Sequence, residues 1–102
     1  MSPEIADRLT ALNIQILAEA KKHFLFARDA CVALVERTDH GFGSIGSTGL
    51  MTEEGLAYLV WRDRAAMLVG KAGERPADPE QLRAIRRFSE DLKSVLDAAR
   101  NQ

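Results

Sequence analysis

"DHGFGSIGSTG", residues 39–49, carries four of the chain's seven glycines, and its reading decides how the rest of the chain divides. Gly41, Gly43 and Gly46 stand at the spacing G-x-G-x-x-G. In a dinucleotide site that motif follows a strand and opens a helix, so that glycine N–H groups and the helix amino end meet a pyrophosphate. Here a run with helical spacing precedes it and short apolar runs follow. Gly46 is also followed by Ser47 and Thr48 rather than by the Lys-Ser/Thr ending of a P-loop. The stretch therefore reads as a joint that ends a helix, with Gly41 or Gly43 left-handed after Thr38 and Asp39. A nucleotide or phosphate site on this loop is the weakest of three functional readings.

Upstream of the joint, Ile5, Leu9, Leu12, Ile16, Ala20, Phe24, Ala27, Cys31 and Leu34 recur at steps of three and four. That spacing predicts one long helix over about 3–37, with Ser2 as cap, Pro3 at the first helical position and Glu4 on the positive dipole end. Leu25, Phe26, Val32 and Val35 add apolar surface on its other faces. The rival reading breaks the helix near Asn13 or His23.

Downstream, "LAYLVW" and "AMLVG" flank the polar "RDRA", with Gly55 before and Gly70 and Gly73 after. This predicts a hairpin over about 50–71, or a three-stranded meander if "TGLMT" adds a strand. A turn at Arg62 to Ala65 sets Trp61 opposite Ala66, Val60 opposite Met67, Leu59 opposite Leu68 and Tyr58 opposite Val69. Both faces of such a hairpin are apolar. Thr52, Glu53 and Glu54 could instead cap a helix through the same residues, which makes an all-α helical bundle the alternative fold. After a linker at 72–78, Asp78, Pro79 and Gln81 open a clear helix over about 79–100. Its apolar face is Leu82, Ile85, Phe88, Leu92, Val95, Leu96 and Ala99. The expected fold is thus α+β in one domain over 1–102: long amino-terminal helix, small antiparallel hairpin, carboxy-terminal helix.

A helix of about 34 residues is roughly 50 Å long, against roughly 33 Å across a compact domain of this length. Its stripe outruns what the last helix covers, so a second copy is the simplest cover. Ile5, Leu9, Leu12, Ile16, Phe26 and Trp61 are the candidate interface residues. Charge points to no partner, with 14 basic against 15 acidic residues. The arginines Arg83, Arg86 and Arg87 are the candidate nucleic-acid contacts of a runner-up reading, a small DNA-associated regulator.

No catalytic, cofactor-binding or metal-binding residue is expected. Glu19 and His23 stand four apart on the expected helix, but the remaining ligands of a metal pattern are missing. Cys31, the single cysteine, lies in "ACVALV", reads as a buried small hydrophobe and fits a reducing compartment. The amino terminus lacks the basic and apolar regions of a secretory signal, and the densest apolar segment, 24–35, is too short to span a bilayer. The expectation is a cytoplasmic, non-enzymatic, homodimeric interaction protein that binds another macromolecule, with a protein partner and no membrane.

Overall fold

The computed structural model describes residues 2–100. Among them a short helix α1 (Pro3–Ala11) leads into seven strands: β1 (Gln15–Glu19), β2 (His23–Arg28), β3 (Cys31–Thr38), β4 (Gly41–Thr52), β5 (Gly55–Arg62), β6 (Ala65–Gly70) and β7 (Gly73–Pro76). Helix α2 (Pro79–Arg100) follows. The strands form one antiparallel meander in chain order. No helix among the described residues is long and apolar enough to cross a membrane.

The long first helix is corrected to α1 and three strands, and the all-α alternative falls with it. Ser2 caps as expected, its side chain accepting from the Ile5 N–H at 3.3 Å. Asn13 then ends the helix: it adopts a φ of 58°, and the Ile14 and Asn13 N–H groups donate to the Leu9 and Thr10 carbonyls at 2.8 and 3.0 Å. That pair of bonds closes a helix end through a left-handed residue, a conformation asparagine tolerates. Leu9 and Ile14 are both buried beside it. A continuous helix of about 50 Å would also exceed the molecule's longest dimension of 39 Å.

The Gly-rich joint is corrected too: residues 41–52 are β4, the longest strand. Its glycines belong to hairpin chemistry. Thr38-Asp39-His40-Gly41 and Thr52-Glu53-Glu54-Gly55 are the same turn used twice. In the first, the Thr38 hydroxyl accepts from the His40 N–H at 3.2 Å and donates to the Gly41 carbonyl at 3.3 Å. In the second, Thr52 does the same with Glu54 and Gly55 at 3.2 and 2.7 Å. Gly41, Gly55 and Gly73 follow their two-residue loops with φ of 118°, 114° and 116°, values that favour glycine. The expected linker at 72–78 contains β7, which starts at the third of these glycines.

The two remaining tight turns begin with the same dipeptide, Arg28-Asp29 and Arg62-Asp63. Asp29 and Asp63 take φ of 53° and 49°, and Arg64 follows at 72°. At the second of them the register is the one expected from the sequence, Trp61 with Ala66 through Tyr58 with Val69. Helix α2 also spans the expected residues, opened by a reciprocal box in which the Gln81 N–H donates to Asp78 Oδ1 at 2.9 Å and the Asp78 N–H to Gln81 Oε1 at 3.0 Å.

Both helices contribute to one core with the inner face of the sheet. Phe24 and Phe26 of β2, Ala33 and Val35 of β3, Leu50, Ala57 and Leu68 gather with Ile85, Phe88, Leu92, Val95 and Leu96 of α2, and with Ile5 and Leu9 of α1. Phe42 closes an aromatic trio, its ring 4.9 Å from Phe24 and 5.4 Å from Phe26 in edge-on contacts. Side chains alternate between the faces of a strand, so the intervening residues of β2–β6 point to the other side of the sheet.

Candidate functional site

Two surfaces stand out. The first is the outer face of the sheet. Cross-strand partners share a face, and the row Ala27, Val32, Gly49, Tyr58, Val69 runs across five strands without a charge. Leu25 opposite Leu34, Met51 opposite Leu56, and Val60 opposite Met67 extend it. Ala27 and Val32 are buried yet stand outside the core cluster. Leu25, Leu34, Leu56, Tyr58, Val60, Met67 and Val69 are half-buried, and Met51 is exposed. An antiparallel sheet with one solvated face ordinarily puts polar residues there. This one does so only at its margins, with His23 opposite Glu36 and with Arg62 paired to Glu74 at 2.7 Å across β6, while its middle rows are apolar; the core that receives both helices lies on its opposite side.

The backbone permits that row because Gly49 lacks a side chain. A Cβ there would stand 2.0 Å from the Ala57 carbonyl oxygen and 2.8 Å from the Tyr58 Cα. Strands β4 and β5 approach too closely for any larger residue.

The second surface is an open groove of about 1090 Å³ beside α2, bounded by the turns at 29–30 and 53–54 and by β7. Arg28 sits at its inner wall with its side chain 15% exposed, and its Nη1 donates to Asp91 Oδ2 at 2.8 Å and to the Leu12 carbonyl at 3.2 Å. The guanidinium also lies 5.6 Å from the Phe88 ring centroid. This side chain ties the end of α1, the end of β2 and the middle of α2 together. Arg75, Arg83 and Arg87 line the same groove without an ion pair among the described residues, as do Asp29, Glu53, Glu54 and Glu80. The groove is therefore bipolar, not a basic track.

Cys31 lies at the groove floor and is buried. Burial pushes its thiol above the ordinary value, Arg28 pulls it down and Asp29 adds to the rise. Thiolate formation is thus disfavoured, the opposite of what a nucleophile needs. Because the folded value is raised, the neutral thiol's contribution to stability is complete below the ordinary thiol pKa and is lost as pH rises through the folded value. Titration with a disulfide reagent is expected to find Cys31 slow in the native chain at pH 7–8 and fast after unfolding; equal rates would make it an accessible thiol.

The candidate interface residues fall in three places. Ile5, Leu9 and Phe26 are buried in the chain's own core, and Leu12 and Ile16 pack against it. They cover one another through α1, β1 and β2 instead of forming an exposed stripe. Trp61, 59% exposed near the β5–β6 turn, remains on the surface. Of the candidate nucleic-acid contacts, Arg83 and Arg87 reach the groove and Arg86 does not. Glu19 and His23 are on adjacent strands, not one helix face; Glu19 pairs with Arg37 at 3.7 Å.

No protein-family model, curated protein or solved structure matches this chain. Sequence reasoning missed Arg28, Arg75 and most of the outer-face row. Arg28 interrupts an otherwise apolar run, which marks a strand end. Leu25 and Val32 were legible only as extra apolar surface on a helix, and Leu34 only as part of its stripe.

Proposed function

We propose that the chain is a non-enzymatic interaction module, and that its working surface is the outer face of the sheet. The observation that carries this reading is the uncharged row from Ala27 to Val69, which lies on the side of the sheet away from the helices. Strands β2–β6 cover four spacings, roughly 19 Å, by about six residues, roughly 20 Å. Within that outline Ala27, Val32 and Gly49 are already buried, and the accessible apolar side chains are the half-buried Leu25, Leu34, Leu56, Tyr58, Val60, Met67 and Val69 with the exposed Met51, a set that a solvated sheet face ordinarily lacks. Burial raises the Cys31 thiol and makes it a poor nucleophile, and Arg28 and Asp91 are engaged with each other, which weighs toward binding over thiol chemistry in the groove. The four unpaired carboxylates of the groove also weigh against duplex contact through Arg83 and Arg87, since phosphate binding draws on excess positive charge.

Hydroxyl-radical footprinting tests the reading. Oxidation of Tyr58 and Met67, with Met51 at the rim, is measured on the dilute purified chain and again in concentrated extract of the cells that make it. Protection of these residues, with Trp61 unchanged, is the expected result. Equal oxidation in both conditions would remove the outer face as a working surface.

A further inference from the structure

Strand β4 has a sheet neighbour on both sides over only part of its length. It pairs with β3 from Gly41 opposite Thr38 to Leu50 opposite Cys31. Its pairing with β5 stops at Gly49 opposite Tyr58, although β5 runs on to Arg62. Beyond that point the two strands part, and residues 42–47 have a strand on the β3 side alone among the described residues. The cause is in β4. Thr48 to Ile45 lies opposite Ala33 to Val35, and Ile45 to Phe42 opposite Val35 to Arg37, so β4 holds one extra residue at each place. An extra residue bends its strand and sharpens the local twist, and two of them turn the first half of β4 out of line with β5.

An unpaired strand edge is a row of main-chain donors and acceptors, and folded chains blunt such rows with charge and proline. The outer edges of this sheet carry both devices: β7 holds Glu74, Arg75 and Pro76, and β1 ends in Glu19. The inner edge carries neither, since Gly41 to Thr48 include no charge and no proline. Its bulges shorten the usable row without filling it. One acceptor is met from outside the sheet, where Arg100 of α2 donates through Nη2 to the Gly43 carbonyl. Ser44, Gly46 and Ser47 are exposed, as is Trp61, which the register places level with Gly46 across the split.

On the helix side the same stretch borders a recess of about 410 Å³, lined by Ser44, Ile45 and Thr48 of β4 and by Ser89, Lys93 and Leu96 of α2. We propose that an extended peptide segment of another protein adds to β4 here, pairing through its main chain with residues 44–47 and sending one apolar side chain into the recess toward Ile45 and Leu96. The free main-chain row asks for an extended strand. The recess lies near the low end of the about 300–1,000 Å³ that holds a drug-sized ligand, so it takes a side chain or two and not a folded copy of the chain. The bulges confine pairing to a short stretch, which makes the complex weak and quickly exchanging. Because this edge is separate from the apolar rows of the outer face, either reading can fail without the other.

A random heptapeptide library displayed on phage, selected against the full chain, supplies the probe: the most enriched sequence, made synthetically, with two versions N-methylated at alternate residues. Methylation removes the donors along one edge of a strand and keeps the side chains, because successive N–H groups point to opposite edges. The probe is expected to shift the amide resonances of residues 44–48 and 89–93. Only the version methylated on the pairing edge is expected to lose affinity, by at least about 30-fold for two or three hydrogen bonds. Ser89→Trp, which fills the recess, is expected to weaken the probe at least about 10-fold while circular dichroism and melting stay near wild type. Ser94→Trp, exposed on α2 and outside the recess, is expected to leave binding unchanged. If Ser89→Trp does not fold, the methylated pair decides alone. Failure to enrich any peptide overturns the inference, as does a probe whose shifts fall elsewhere or one that both methylated versions match in affinity. Shifts at 44–48 that arise on concentrating the chain without peptide assign the edge to a second copy and overturn it as well.

Discussion

Phe26→Ala is expected to destabilise the chain by about 3–5 kcal/mol, the range found when a fully enclosed phenylalanine is truncated. Phe26 is 0% exposed and belongs to the aromatic trio, with Phe42 5.4 Å and Phe24 6.3 Å away by ring centroid. Its removal leaves a cavity in the sheet layer that the rigid meander cannot collapse around. Domains of this size have total stabilities of only about 5–15 kcal/mol, so urea denaturation should show a large fall in midpoint, with a melting temperature lower by roughly 15–30 °C. The measurement also separates two roles. An interface residue would lower dimer affinity with little change in the unfolding of dilute monomer, whereas the core position predicts loss of stability at every concentration. A loss below about 1 kcal/mol would mean that Phe26 is not enclosed.

The second large effect lies in the glycine-rich stretch at 39–49, expected as a joint and folded from Gly41 onward as part of β4. Gly49→Ala is expected to prevent native pairing of β4 with β5, because the added methyl would sit 2.0 Å from the Ala57 carbonyl oxygen, a backbone atom that cannot rotate away. The cost should reach at least about 3 kcal/mol, at or beyond the upper end for overpacked cores. Gly46→Ala is the control, since its Cβ would meet only the Leu34 carbonyl oxygen at 3.6 Å, an ordinary contact. Paired thermal melts of the two variants decide the matter. A loop reading predicts two mild and similar effects; the strand reading predicts one near-unfolded protein and one close to wild type.

These two residues also show why the sequence was only partly legible. Helix α2 was readable because its apolar positions repeat with a single period over 22 residues and its first turn carries a reciprocal cap. The β5–β6 register was readable because two apolar runs flank a short polar turn. Residues 14–38 were not, because β2 and β3 are apolar on both faces. When Phe24, Phe26 and Val35 point inward while Leu25, Val32 and Leu34 point outward, the period-two alternation disappears. Selecting every third or fourth residue from such a run then produces a false helical stripe.

The signals that could have corrected this were turns rather than periods. Asn13 and Asp29, each at a left-handed φ, are residue types that tolerate that conformation. The repeated Thr-x-x-Gly at 38–41 and 52–55 divides the glycine stretch from what precedes it and marks two hairpins of one kind. Arg28-Asp29 matches Arg62-Asp63, which opens the turn expected at 62–65.

By itself, the sequence determined the two helix starts at Ser2 and Asp78, the final helix, one hairpin with its register, and a surplus of apolar surface. These depend on contacts between residues close along the chain, or on patterns that a single element imposes. Only the tertiary structure decided where the surplus goes: Ile5, Leu9 and Phe26 into the chain's own core, Tyr58, Val60 and Val69 onto an outer sheet face. That division depends on which side of the sheet the two helices occupy. Because both sides of the strands are apolar, no local pattern distinguishes the side that receives the helices from the side left uncovered.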